Sequence, residues 1–82
     1  MADVEIYGGL TQIVREVLQN DAIVLAPETL LDDIPAWDSL LLVLVGLDAE
    51  TRFGIELATH ELERLVAIGD FVDLIRRKLK AG

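Results

Sequence analysis

The sequence predicts an all-α protein, a small four-helix bundle with a short third helix, on three grounds. Apolar residues recur at helical spacing in four separate stretches of the chain. Residues that typically cap or stop helices lie at the ends of three of these stretches. The chain has 82 residues, 52% of them hydrophobic, so a core can form without a disulfide or a metal. A chain of this length has room for one core, so we expect residues 1–82 to form a single domain.

The first helix is predicted by an apolar face with the spacing i, i+3, i+4, i+7, i+8. It should begin between Asp3 and Gly9 and end near Asn20 and Asp21. The residues that form this face are Leu10, Ile13, Val14, Val17 and Leu18.

A long loop, residues 21–37, follows and contains both prolines. Pro27 is expected to open a short helical turn, and Pro35 keeps Ile34 out of the helical conformation. Long loops in small domains are functional or held by apolar anchors. The expected anchors are Leu30, Leu31, Ile34 and Trp37, whereas Asp32 and Asp33 should point outward.

The second helix should begin after Asp38, which has a side chain suited to the N-cap, and Ser39 would be its first residue. It should end at about Phe53, because Gly54 can adopt the left-handed conformation that stops a helix.

The third and fourth helices are predicted from caps that precede apolar residues. Thr59 should cap the third helix, and Asp70 should cap the fourth. The buried residues are expected to be Leu62, Leu65 and Val66 in the third helix and Phe71, Val72, Ile75 and Leu79 in the fourth.

The second helix is apolar over nearly its whole circumference at its start. Steps of about 100° per residue place one set of residues toward the core. That set is Leu42, Val45, Gly46, Ala49 and Phe53. The opposite side should carry Leu40, Leu41, Leu44 and Leu47. We interpret these leucines as an exposed patch beside Ser39, the alternative being that the loop folds over some of them.

Composition and charge exclude several classes of function. The absence of cysteine rules out disulfides, thiolate metal sites and a cysteine nucleophile. The net charge of −8 should repel nucleic acid and anionic membranes and attract a basic protein, although the acidic residues could also serve solubility alone. No apolar stretch approaches the roughly 18 residues that span a bilayer, and no signal or transit peptide is recognisable. We therefore expect a cytoplasmic protein.

Ser39 is a poor candidate for a catalytic residue. A nucleophilic serine needs a base, and the single histidine, His60, has no visible partner to orient it. There is no Gly-x-Ser-x-Gly elbow and no Gly-rich phosphate loop. Asp32, Asp33 and Asp38 do not match the spacing of a calcium loop. We therefore predict no catalytic residue, no metal site and no enzymatic activity.

Ser39 is instead placed to accept a group. At the first position of a helix its hydroxyl lies beside unsatisfied backbone N–H groups, which favour a phosphodiester. The tripeptide Asp38-Ser39-Leu40 is also typical of an ordinary helix start.

The wider pattern resembles the phosphopantetheine-binding acyl carrier protein family over nearly the whole chain. The matching blocks are Leu31-Asp32-Asp33-Ile34, Trp37-Asp38-Ser39-Leu40, Phe53-Gly54-Ile55-Glu56-Leu57 and Ala67-Ile68-Gly69-Asp70-Phe71-Val72. The resemblance implies a single carrier domain with the family fold, a four-helix bundle with a short third helix. It also implies that a phosphopantetheinyl transferase moves 4′-phosphopantetheine from coenzyme A to Ser39. The thiol of that arm would carry acyl or aminoacyl groups as thioesters.

The resemblance also implies roles for the neighbours of Ser39. Asp38 would cap the helix and meet the transferase. The enzymes that load the carrier and accept its cargo would contact a set of apolar residues. That set is Trp37, Leu40, Leu41, Leu44 and Leu47. We expect a monomer, although an exposed leucine stripe could also pair with a second copy.

The sequence departs from common members of the family after the serine. Typical fatty-acid carriers have acidic residues where this chain has Leu41, Leu42 and Leu44, and the Gly-Gly-[His/Asp]-Ser signature of peptide-synthetase carriers is absent. Trp37-Asp38-Ser39-Leu40 therefore favours a specialised discrete carrier of secondary metabolism, polyketide-type or aminoacyl. Two alternatives remain: an unmodified acidic module that binds a partner through Leu40, Leu44 and Leu47, and, ranked last, a hydrolase that uses Ser39.

Overall fold

The computed structural model describes residues 2–81, which form four α-helices and one 3₁₀ turn. The helices are α1 (Asp3–Leu18), α2 (Ser39–Phe53), α3 (Thr59–Glu63) and α4 (Ile68–Ala81), and the 3₁₀ turn is Leu31–Asp33. The one extended pairing in residues 2–81 is a single antiparallel bridge between Leu30 and Ala67. The prediction of an all-α fold with a short third helix is confirmed. Within the described residues, no helix combines the length and the apolar character that crossing a membrane requires.

α1 forms one wall of the core and packs against both α2 and α4. Ile6, Leu10, Ile13 and Val14 are buried, and Val17 and Leu18 pack at the edge of the core. The helix ends at Leu18, slightly before the predicted end, because Gln19 adopts a left-handed conformation.

Two glycines allow helices to approach closely. A Cβ atom added at Gly9 of α1 would lie 2.8 Å from the Phe53 ring of α2. One added at Gly46 of α2 would lie 2.8 Å from Leu62 Cδ1 of α3. Both distances are shorter than van der Waals contact, so the absence of a side chain at these positions sets the spacing between the helices.

Hydrogen bonds fasten the long loop at two places along its length. The Arg15 side chain of α1 donates a hydrogen bond to the Ile23 carbonyl at 2.7 Å. Further along, the backbone of residues 27–31 bonds to the segment between α3 and α4. Leu31 N–H donates to the carbonyl of Val66 in that segment at 2.9 Å, and Gly69 N–H, in the first turn of α4, donates to the Pro27 carbonyl at 2.9 Å. The loop is therefore an ordered part of the fold that leads into α2.

The prediction for the loop was right for some anchors and wrong for one. Leu31 and Ile34 are buried, and Asp32 and Asp33 are exposed, as predicted. Leu30 is instead 43% exposed, because the bridge to Ala67 fixes its backbone while the neighbouring Leu31 takes the core position. The helical turn expected at Pro27 lies later, at Leu31–Asp33.

The predicted starts of α3 and α4 also need correction. The N-cap of α3 is Ala58, not Thr59, and its N–H donates to the Glu61 carboxylate at 3.0 Å. α4 begins at Ile68, two residues before the predicted cap Asp70. From inside the first turn the Asp70 carboxylate accepts the Ala67 N–H at 3.0 Å. In both helices the carboxylate of an acidic residue in the first turn accepts a hydrogen bond from a backbone N–H at the start of the helix. This carboxylate caps the helix in place of a side chain at the N-cap position.

The buried sides of α3 and α4 follow the predicted pattern at four residues and depart from it at four others. Leu62 of α3 and Phe71, Val72 and Ile75 of α4 are buried, whereas Leu65 and Leu79 are half-buried. Val66 was predicted to be buried but is 61% exposed, because it lies in the linker after α3. Leu74 is an additional core residue of α4.

Candidate functional site

Asp38, the residue before α2, caps the N-terminal end of the helix. Asp38 has an extended backbone and is the N-cap residue of the helix. Its Oδ1 atom accepts the Leu41 N–H at 2.9 Å, and its carbonyl accepts the Leu42 N–H at 3.0 Å. These bonds occupy an otherwise free donor and fix the position at which the helix begins.

Ser39 is the first residue of α2, and its side chain is exposed. It is the only serine in the sequence. No side-chain hydrogen bond of Ser39 occurs within residues 2–81, and the N–H of Leu41 in the first turn donates to Asp38. The first turn of the 15-residue helix contains no acidic residue, so its positive N-terminal end is balanced by the cap alone. The Ser39 hydroxyl is therefore exposed at the N-terminal end of a helix.

The chain reaches Asp38 through a sharp change of direction. Ala36 has a φ of 63°, in the left-handed region that favours glycine. The next residue, Trp37, donates its N–H to the Ile34 carbonyl at 3.1 Å, and its half-buried side chain packs against the core. The bend at Ala36 and the packed indole of Trp37 precede the N-cap residue and Ser39, both of which are exposed to solvent.

Ser39 lies at the rim of a groove of about 320 Å³ between α2, α3 and the 3₁₀ turn. The apolar lining comes from Leu31, Trp37, Leu42, Leu62 and Leu65. The carboxylates of Asp32, Asp38 and Glu63 lie around it. The sequence prediction identified Ser39 but did not foresee that the 3₁₀ turn and α3 would form this groove beside it.

The outward side of α2 carries an apolar surface. Leu40, Leu44 and Leu47, which we call the leucine face, are 66%, 40% and 54% exposed. The loop therefore does not cover these three residues. The alternative prediction, in which the loop folds over some of the leucines, is wrong for the leucine face. Leu41 is half-buried. Val43 is 42% exposed and enlarges the apolar surface, although the sequence analysis did not single it out.

His60 does not form a catalytic arrangement with Ser39 in the described residues. It is exposed on α3, and its side chain makes no hydrogen bond there. It lines a separate groove between α3 and α4, whereas Ser39 belongs to the groove between α2 and α3. Within residues 2–81, no group of three His, Cys, Asp or Glu residues is placed to hold a metal ion.

Comparison with known proteins shows the family. No protein-family model matches the chain. The chain is 37% identical over 76 residues to the acyl carrier protein of Thermotoga maritima, with 92% of this chain and 93% of that protein covered. This chain belongs to the acyl carrier protein family. The acyl carrier protein of Acidothermus cellulolyticus is also 37% identical, over 71 residues, with 87% of this chain and 84% of that protein covered.

A solved structure agrees with this assignment to the acyl carrier proteins. The solution NMR structure of a holo acyl carrier protein from Geobacter metallireducens matches with a TM-score of 0.82 and 40% sequence identity. The match covers 92% of this chain and 86% of the Geobacter chain. The fold and the family predicted from the sequence are therefore both confirmed.

Family membership bears on three of the predictions made from the sequence: enzymatic activity, cofactor and partner proteins. Acyl carrier proteins are carriers, not enzymes, so the expectation that this chain is no enzyme is confirmed. The cofactor of the family is covalently bound 4′-phosphopantetheine, and the holo state of the Geobacter protein supports the same group here. Acyl carrier proteins interact with a phosphopantetheinyl transferase and with biosynthetic enzymes. The roles of individual residues and the type of pathway stay predictions.

The residues present at the start of α2 fit such a group. The attachment needs a hydroxyl that a transferase can reach, and Ser39 is exposed with no competing hydrogen bond in residues 2–81. The adjacent N–H groups of the helix suit a phosphodiester. The groove beside Ser39 has apolar walls that an organic arm could contact.

Proposed function

We propose that Ser39 is the residue that carries 4′-phosphopantetheine, and that Asp38 contributes to recognition by the transferase. The supporting observation is the exposed hydroxyl of the single serine at the first position of α2. Thr59 holds the same position at the start of α3, but that helix has only five residues. A short helix has a weaker dipole and offers less stabilisation to a phosphodiester.

The chain's own residues have positioning roles in this function. Asp38 fixes the first turn through its bond to Leu41, so the Ser39 oxygen has a defined place. The helix end stabilises negative charge next to that oxygen, by an amount on the order of 0.3–1 kcal/mol at an exposed site. When bound, 4′-phosphopantetheine supplies a terminal thiol that carries an acyl or aminoacyl group as a thioester.

We further propose that partner enzymes bind the leucine face, together with the half-buried residues Trp37 and Leu41. Three exposed leucines along one side of α2 form an apolar surface directly beside Ser39. Burial of these apolar side chains against a partner would remove them from water, which favours association. The partners would be the transferase and the enzymes that load acyl or aminoacyl groups and accept them.

The same surface supports a specialised pathway over general fatty-acid synthesis. Typical fatty-acid carriers present acidic residues just after the serine, whereas this chain has Leu41 and the exposed Leu44. An enzyme that selects its carrier through basic residues would therefore find fewer charge partners here. We assign the carrier to secondary metabolism, of the polyketide or aminoacyl type.

Mass spectrometry tests the attachment site. The protein is incubated with coenzyme A, Mg²⁺ and a promiscuous phosphopantetheinyl transferase, and the intact mass is measured. Wild type and the control Thr59→Ala should each gain one phosphopantetheine, and Ser39→Ala should gain none. Equal labelling of Ser39→Ala, or no labelling of wild type, would show that the proposal is wrong.

A second candidate function is favoured by the leucine face alone, namely an interaction module that needs no modification. In that case Ser39→Ala would bind partner enzymes and support function as wild type does, and Leu44→Glu would abolish both. A carrier should lose function in both variants. Val24→Glu is the control for Leu44→Glu, because Val24 is 78% exposed and belongs to the loop, not to α2.

A further inference from the structure

The groove beside Ser39 carries negative charge that no basic residue in its lining balances. Three carboxylates line it: Asp32 of the 3₁₀ turn, Asp38 at the N-cap of α2 and Glu63, the last residue of α3. No Lys, Arg or His among residues 2–81 belongs to this lining. Arg64, the residue after Glu63, lines the separate groove between α3 and α4. The groove beside Ser39 therefore attracts cations and repels anions.

Two of the three carboxylates have no ionic partner. Asp32 and Glu63 are exposed, and neither forms an ion pair within the described part of the chain. Asp38 differs, because its Oδ1 atom accepts the Leu41 N–H at 2.9 Å. The carboxylates left for a ligand thus come from two separate elements, the 3₁₀ turn and α3.

The rest of the groove is apolar and includes an aromatic ring. Leu42, Leu62, Leu65 and the half-buried Trp37 contribute to the lining. The face of an indole attracts cations as well as apolar groups. The volume, about 320 Å³, lies at the lower end of the range for small-molecule sites, roughly 300–1,000 Å³. The groove therefore fits one compact group that is apolar in one part and cationic in another.

We propose that this groove selects aminoacyl cargo and holds its protonated α-amino group near Asp32 and Glu63. The inference rests on the proposed role of Ser39, because the cargo must be tethered there. The arm begins at the rim of the groove, so its cargo is present at a high effective concentration. An acyl group that ends in a carboxylate would be repelled, and a plain hydrocarbon acyl group would gain apolar contacts alone. Of the two cargo types proposed above, the groove favours the aminoacyl type.

Retention of the amine in its protonated form would also protect the cargo. A free amine has a lone pair that attacks thioesters, whereas an ammonium group has none. Carboxylates beside the amine stabilise the ammonium form. Because exposed charge pairs are weak, the resulting preference for cationic cargo should be a few-fold.

NMR of the loaded carrier tests where the cargo lies. A promiscuous phosphopantetheinyl transferase attaches arms from coenzyme A analogues in which an amide replaces the thioester, so the cargo stays in place. The cargoes are leucyl, 4-methylpentanoyl (leucyl without its amine) and succinyl, which ends in a carboxylate, with acetyl as the reference. Backbone amide shifts at residues 31–32, 37–42 and 62–65 should be largest for leucyl, smaller for 4-methylpentanoyl and smallest for succinyl.

Substitution of the two carboxylates tests the selection of charge. In Asp32→Asn/Glu63→Gln the shifts caused by leucyl should fall to those caused by 4-methylpentanoyl. The acid dissociation constant of the leucyl ammonium group, measured by NMR titration, should rise about two- to fivefold. The control Asp48→Asn/Glu56→Gln removes the same charge from exposed positions outside the groove. This control should change the constant by less than about 1.5-fold, because solvent and salt screen distant charges.

Other outcomes would overturn the proposal. Equal effects of the two double variants would mean that net charge, not the groove, stabilises the ammonium group. Equal shifts from leucyl and 4-methylpentanoyl would indicate an apolar site without selection of charge. If wild type accepts no arm, the carrier function itself is wrong, whereas loading without shifts in the groove refutes this inference alone. Circular dichroism checks folding. If the double variant unfolds, Glu63→Gln alone replaces it and should raise the dissociation constant by a smaller factor.

Discussion

Ala36 is the residue whose backbone conformation most directly sets the approach to Ser39. A side chain in the left-handed region costs about 1–2 kcal/mol relative to the right-handed one, and Ala36 has a φ of 63°. Part of the gain from glycine is lost to the greater freedom of the unfolded chain. Ala36→Gly should therefore stabilise the protein by about 0.5–1 kcal/mol in urea unfolding.

Gly54 supplies the matched control for this prediction. It ends α2 with a φ of 67°, nearly the same conformation, and its missing Cβ would meet nothing within 4 Å. Gly54→Ala should thus destabilise by about 1 kcal/mol through the backbone alone. A loss of stability in Ala36→Gly, or no loss in Gly54→Ala, would mean that the two bends carry no such strain.

At the scale of elements, the contact of α2 with α3 depends on Gly46. A Cβ at this position would lie 2.8 Å from Leu62 Cδ1, so one of the two helices or the Leu62 side chain must shift. Overpacking of this kind costs about 1–3 kcal/mol, and we expect Gly46→Ala to fall at the lower end because the Leu62 tip can rotate. The measurement is the free energy of unfolding in urea.

Gly8 of α1 is the control for Gly46. Nothing lies within 4 Å of a Cβ added there, and the residue sits inside a helix. Gly8→Ala should stabilise the protein by about 0.5–1 kcal/mol through helix propensity. Because the gain in helix propensity applies at both positions, Gly46→Ala should be less favourable than Gly8→Ala by about 1–3 kcal/mol, the cost of overpacking. Equal effects of the two substitutions would contradict the close packing of α2 on α3.

The link between α3 and α4 should make stability depend on pH. The hydrogen bond from Lys78, followed by the one from the Ala58 N–H, lowers the pKa of Glu61 below its usual 4.5. A lowered pKa in the folded state gives a stabilising contribution that is present above the unfolded value. That contribution is lost as the pH falls through the lower, folded value. Glu61→Gln should flatten the fall in urea midpoint between about pH 5 and pH 2.

Glu56 provides the comparison for Glu61. It is exposed and forms no ion pair within residues 2–81. Glu56→Gln should leave the pH profile of the urea midpoint close to that of wild type. If both glutamine variants show the same profile, the bond between Lys78 and Glu61 does not couple α3 to α4 in solution.

Because the leucine face is apolar, the binding of partner enzymes to it should depend only weakly on salt concentration. Apolar contacts are insensitive to screening, whereas contacts between exposed charges weaken as the Debye length shortens. The rate at which partner enzymes load the carrier should fall by less than about twofold between about 0.05 and 0.5 M NaCl. A steep fall with salt would show that charges govern docking and would weaken the assignment to an apolar partner surface.

The whole molecule carries a charge that opposes its own folding. With 15 acidic and 7 basic residues, repulsion between like charges outweighs attraction. The three partly exposed ion pairs in residues 2–81 offset little of this repulsion. NaCl should therefore raise the urea midpoint, because it screens the repulsion among the excess negative charges. Asp32→Asn/Asp33→Asn, which removes two exposed acids from the 3₁₀ turn, should show a smaller gain. A midpoint that falls with salt would mean that the ion pairs outweigh the repulsion.

Local signals in the sequence were enough for the helices and for the candidate attachment residue. Asp38 marks the start of α2 and Gly54 marks its end, because an N-cap and a left-handed C-cap act on the residues next to them. The face Leu10, Ile13 and Val14 is buried because helical periodicity alone brings these residues to one side. Ser39 was identified from its neighbours along the chain, and its exposure agrees with that prediction.

Contacts between distant segments decided the remainder. Leu31 rather than Leu30 takes the core position because the loop pairs with the linker at Ala67, 37 residues after Leu30. The register of an extended segment sets which side chain faces inward. The left-handed Ala36 has no marker in its residue type. The grooves beside Ser39 and Arg64 exist only once α3 packs between its neighbours, because a groove requires walls from separate elements. The residues along the chain thus determined the helices and the serine, and tertiary packing determined the surfaces around them.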